Sequence, residues 1–80
     1  DALYWLGRSY YMKGNFAQTI ATEQRLISGY SKHAKVPEAY LLVGMAQMDS
    51  KKTAEAKATF DKLIKLYPKS SAAGLAKKQM

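Results

Sequence analysis

The sequence predicts an all-α fold made of stacked helical hairpins. A shift that carries Asp1 onto Glu38 aligns the two halves of the 80-residue chain. Under that shift Ala2 falls on Ala39, Leu6-Gly7 on Val43-Gly44, Leu26-Ile27 on Leu63-Ile64 and Tyr30 on Tyr67. Within each unit the apolar residues recur at three- and four-residue spacing, which is one face of a helix. No stretch alternates with the two-residue period of a strand between turn signals. Units of this kind bury their apolar faces only against neighbours, so they stack into an array.

The elements follow in order. Leu3, Leu6, Gly7 and Tyr10 mark the first helix, near residues 1–13. Gly14-Asn15 breaks it: glycine can take the left-handed closing conformation, and Asn15 is the expected cap of the next helix. That second helix is expected over 15–29, followed by a link around Lys32 to Lys35. Pro37 suits the first turn of a third helix over 35–49, where its missing N–H costs nothing. Tyr40, Val43 and Gly44 repeat the first face there. Ser50 to Thr53 forms the next break, with Thr53 the expected cap of a fourth helix over 53–67. Ala56, Phe60, Leu63, Ile64 and Tyr67 give that helix its apolar stripe, while Lys57, Asp61 and Lys65 stand four apart on the opposite, solvated face. Pro68 ends it. Ser70 or Ser71 can cap a closing helix over 70–80, and carrying the shift once more sets Ala39 on Ala76, so this helix opens a third unit. The expected division is repeat one at 1–34, repeat two at 35–69 and the closing helix at 70–80. Leu3, Leu6, Tyr10, Val43, Phe60, Leu63 and Ile64 are the expected core.

Composition narrows the function. The chain has no cysteine, so it can hold neither a disulfide framework nor a thiolate metal site. Its apolar runs are too short to span a membrane. Lys and Arg number 13 against 6 Asp and Glu, a formal charge of +7 that suits acidic partners. Arginine, which reads bases and phosphate bidentately, is only Arg8 and Arg25, and no aromatic is interleaved with the basic residues at stacking spacing. Nucleic acid is therefore not the expected partner. His33 stands alone in the link and makes a poor metal ligand. The carboxylates are scattered, the serines lack a base, and the glycines are isolated. No enzyme activity and no cofactor are expected. The chain opens inside a helical pattern without a starting Met, which reads as a piece of a longer protein.

The string Leu3-x-x-Leu6-Gly7-x-x-Tyr10 with Gly14-Asn15-Phe16 resembles the first half of a tetratricopeptide repeat, and Ala56-x-x-x-Phe60-x-x-Leu63 with Tyr67-Pro68 resembles the second half. The fold this implies is a tetratricopeptide-repeat superhelix of about two helix-turn-helix repeats plus a capping helix. Ala2-Leu3-Tyr4-Trp5-Leu6-Gly7, Tyr10-Tyr11 and Leu66-Tyr67-Pro68-Lys69-Ser70-Ser71-Ala72-Ala73 further resemble the C-terminal repeat domain of the Tol-Pal system family called YbgF or CpoB. Thr19 stands where the repeat prefers Ala, Glu23 where it prefers an aromatic, and Ser31 where Pro closes the unit. These departures predict looser packing of the second helix.

The resemblance implies a non-catalytic scaffold for protein–protein contact. It also implies a periplasmic adaptor that binds TolA and couples outer-membrane constriction to septal peptidoglycan synthesis during cell division. The groove positions it implies are Asp1, Tyr4, Arg8, Tyr11 and Met12 in the first unit, and Glu38, Leu41, Met45, Met48 and Asp49 in the second. Tyr offers contact area at low entropy cost, and Met adapts to irregular partners. Tyr4, Arg8, Tyr11, Met12, Leu41, Met45 and Met48 are the candidate binding residues. Two other readings fit the sequence: an outer-membrane assembly lipoprotein with similar repeats, and a basic module for nucleic acid or anionic surfaces. The apolar opening Ala2 to Leu6 looks uncapped, which predicts self-association through the N-terminal helix.

Overall fold

The computed structural model describes residues 2–30 and 32–79. Five helices follow one another: α1 (Ala2–Met12), α2 (Phe16–Gly29), α3 (Val36–Asp49), α4 (Thr53–Leu66) and α5 (Ser71–Gln79). No strand occurs among the described residues. Each helix packs on the next, as short connections require of antiparallel neighbours. In addition α1 packs on α3 and α3 on α5, whereas α2 and α4 do not touch. So α1, α3 and α5 form one layer, and α2 and α4 form the other. The smallest extent of the molecule, 17 Å, fits two helix layers.

The two hairpin turns share one mechanism. After α1, the Asn15 N–H donates to Tyr10 O at 2.9 Å and the Gly14 N–H to Tyr11 O at 3.0 Å, with Gly14 at φ +80°. After α3, the Lys52 N–H donates to Gln47 O at 2.7 Å and the Lys51 N–H to Met48 O at 3.0 Å. This is the paired closure that satisfies the last carbonyls of a helix through a left-handed residue. Here the left-handed place falls to Lys51, at φ 65°. Of the two expected caps, one keeps its place and one moves. Asn15 holds the expected N-cap place of α2 but makes no side-chain cap bond. Thr53 is inside α4 and the preceding place belongs to Lys52. Ser70 does cap α5, its Oγ accepting from the Ala73 N–H at 3.0 Å. Pro37 lies in the first turn of α3, as its geometry allows.

The core centres on the second unit. Phe60, Leu63, Val36 and Ala56 are buried with Ala72, Ala73 and Ala76 of α5, and Ile64, Tyr67 and Met48 pack around them. The small side chains of α5 let that helix lie close against the hairpin. Helix α3 touches all four others and buries eight residues. Helix α1 buries Gly7 alone.

The expected core residues of α1 are therefore corrected. Leu6 is 43% exposed, and Leu3 and Tyr10 are half-buried. Val43, the equivalent of Leu6, is buried because α2 covers that side of α3; no helix among the described residues covers the same side of α1. The expected looseness of α2 is also corrected: Thr19 and Glu23 are both completely buried. The reading at Ser31 lies outside the described residues.

Candidate functional site

The layer of α1, α3 and α5 presents a groove of about 380 Å³. Tyr4, Arg8, Tyr11 and Met12 reach it from α1, Glu38, Leu41, Leu42 and Met45 from α3, and Leu75 from α5. These residues share a face because steps of three and four along α1 and α3 return to the same side of a helix. The groove exists because α1 packs directly on α3, leaving a furrow along their seam.

Its chemistry is aromatic, thioether and cationic. The Tyr4 and Trp5 rings meet edge-on, with centroids 5.3 Å apart and planes at 70°. The Arg8 guanidinium sits 5.4 Å from the centre of the Trp5 ring, and the Lys35 ammonium 5.4 Å from that of Tyr4. Each such contact adds roughly 0.5–1 kcal/mol at an exposed site. Both cations thus rest on aromatic faces and are presented beside the groove. At the other end the Tyr11 hydroxyl donates to Asp49 Oδ2, tying α1 to α3. Burial, with the hydrogen bond to Asp49 and its negative charge, pushes the Tyr11 phenol up to about 12. Tyr11 therefore stays a neutral donor throughout the ordinary pH range.

The structure brings Tyr4, Arg8, Tyr11, Met12, Leu41 and Met45 together around this groove. Met48 is the exception: it does not line the groove, although like Leu41 and Met45 it is half-buried and packs against the apolar core. The groove position expected for Asp1 lies outside the described residues. Sequence reasoning missed Leu42 and Leu75. The repeat shift sets Leu75 on Glu38, so the signal was present, but it required treating α5 as a working third unit.

A second concavity, about 490 Å³, lies on the opposite layer between α2 and α4. Gln24, Ile27 and Ser28 form one wall, Ala58, Thr59 and Lys62 the other, and Tyr40 and Val43 the floor. It is larger but offers one charged group, Lys62, whose ammonium rests 5.8 Å from the Tyr40 ring. The groove of α1 and α3 holds more side chains suited to anchoring a partner.

Other candidate chemistry resolves simply. His33 is half-buried in the link, where its Nδ1 accepts the Lys35 N–H at 3.0 Å, so it shapes the entry to α3. Among the described residues no three His, Asp or Glu side chains gather as a metal site, and no helix is long and apolar enough to cross a membrane.

The comparisons with known proteins agree with this geometry. The family model for the tetratricopeptide repeat matches residues 1–33 and again residues 38–70. A search of the curated proteins found no match.

Proposed function

Since the chain belongs to the tetratricopeptide repeat family, and such repeats serve as scaffolds for protein contact, we propose that its α1–α3 groove docks a segment of a partner protein. The carrying observation is the convergence of Tyr4, Arg8, Tyr11, Leu41 and Met45 on one furrow. A helix laid in this groove would bury apolar side chains on Leu41, Met45 and the Tyr4 ring. Arg8 and Lys35 would meet its acidic residues, and the charge of +7 would speed their encounter.

The partner proposed is TolA, with the chain acting in the periplasm as a Tol-Pal adaptor of the YbgF or CpoB type during cell division. This identification is supported by the sequence resemblance through Ala2 to Gly7 and Leu66 to Ala73. The test is an NMR titration of the labelled chain with the periplasmic part of TolA. Tyr4, Arg8, Tyr11 and Met45 should shift on binding. Binding that leaves them still while other surfaces respond would remove the groove from the account; no binding at all would remove TolA.

Self-association through α1 belongs to the same proposal, supported by Trp5 and Leu6 at 52% and 43% exposure. A single monomeric species in sedimentation across concentration would exclude it.

A further inference from the structure

The two hairpins close on different residues. The shift from Asp1 to Glu38 carries Gly7 to Gly44, Thr19 to Ala56 and Glu23 to Phe60. In the second unit the Phe60 ring lies under Gly44, where an added Cβ would collide with it. In the first, the Glu23 carboxyl lies under Gly7 in the same way, and a Cβ there would collide with Oε2. So a carboxyl occupies the place built for an aromatic ring, and it is 0% exposed.

Its polar neighbour does not satisfy it. Thr19 Oγ1 lies 3.1 Å from both Gly7 O and Asn15 O, so its proton is used on the backbone. Both Glu23 oxygens lack any hydrogen-bond partner. An ionised carboxylate without a partner is among the most costly groups to bury, whereas the neutral acid is far less so.

We infer that Glu23 is a pH-sensitive latch: neutral, it lets α1 lie flat against α2, and ionised, it loosens α1 and with it one wall of the groove. The consequence for binding rests on the groove reading above; the loosening of α1 does not.

Among the described residues the surrounding elements offer no counter-charge. Helix α1 turns Arg8 outward onto Trp5, commits the Tyr11 hydroxyl to Asp49, and carries Tyr4 and Tyr10 half-buried without either reaching Glu23. On α2 the only other charge is Arg25, which is exposed. On the α3 side Lys35 is drawn over Tyr4 and Lys62 of α4 over Tyr40, while Glu38 lines the groove and would only repel a second carboxylate.

Burial outweighs the weak pull of the Gly7 backbone, which lies beside the carboxyl without forming a hydrogen bond to it, and pushes the Glu23 carboxyl up to about 7 from an ordinary 4.5. The folded state therefore holds a proton that the unfolded chain releases. Stability from this group is complete below 4.5, falls as pH rises towards 7, and stays low above it. The loss is on the order of a hundredfold in the folding equilibrium.

The test needs no partner. The 13C shift of the Glu23 carboxyl in the intact chain should titrate near 7, and amide exchange should show α1 losing protection relative to α4 between pH 5 and 8. Glu23→Gln should abolish that difference. A Glu23 midpoint near 4.5, or an unchanged pH profile in Glu23→Gln, overturns the latch. Failure of the groove titration alone leaves these results standing.

Discussion

The first and second repeats carry the same apolar pattern but hold it under different conditions. Leu42 and Val43 of α3 are 5% and 3% exposed, while their equivalents on α1, Trp5 and Leu6, are 52% and 43% exposed. The residues are comparable in apolar character; the neighbours differ. Helix α3 is enclosed by α1, α2, α4 and α5, whereas α1 meets only α2 and α3. In a stacked array, burial is a property of position in the stack more than of the residue. The same contrast governs the hairpin interiors, where Phe60 fills its place with carbon and Glu23 fills the equivalent place with an unpartnered carboxyl.

The sharpest way to break this comparison is to truncate equivalent residues. Leu42→Ala should cost about 2–5 kcal/mol, the usual range for a leucine removed from a packed interior. Trp5→Ala should cost about 1 kcal/mol, the loss of its contacts with Arg8 and Tyr4, despite the larger side chain. Urea denaturation of both variants checks the pair. Equal losses would mean that α1 is covered in solution, as self-association would require.

A smaller effect separates the two turns. Gly14 and Lys51 occupy the same left-handed place, but only glycine adopts it without a Cβ penalty. Lys51→Gly should raise stability by about 0.5–1 kcal/mol, net of the backbone freedom glycine adds to the unfolded chain. Thermal denaturation reads this directly. No gain would show that the strain at Lys51 is already relieved by its setting.

Much of the fold was legible in the sequence because it depends on spacing. The helices, their breaks at Gly14 and at Ser50 to Thr53, and the equivalence of Gly7 with Gly44 follow from local pattern and from the repeat shift. What escaped depends on which neighbour is present. Leu6 has a core residue's spacing and a surface residue's environment. Met48 has a groove residue's spacing, yet it packs on the core without lining the groove. Glu23 suggested loose packing; in the fold it is fully enclosed, because Gly7 leaves it room. Six of the candidate binding residues lie together in one furrow, since a helical face fixes which side chains share a side.

The central claim is that this furrow, and not the net charge, holds the partner. It is tested most directly by two variants that change charge equally, Arg8→Glu in the groove and Lys57→Glu on the exposed face of α4. Calorimetric titration of each with the periplasmic part of TolA should show an affinity loss of about tenfold or more for Arg8→Glu, the range for a charge that pairs in a binding site. Lys57→Glu should bind nearly as the unaltered chain does. Equal losses in the two would contradict the account and assign the attraction to overall charge.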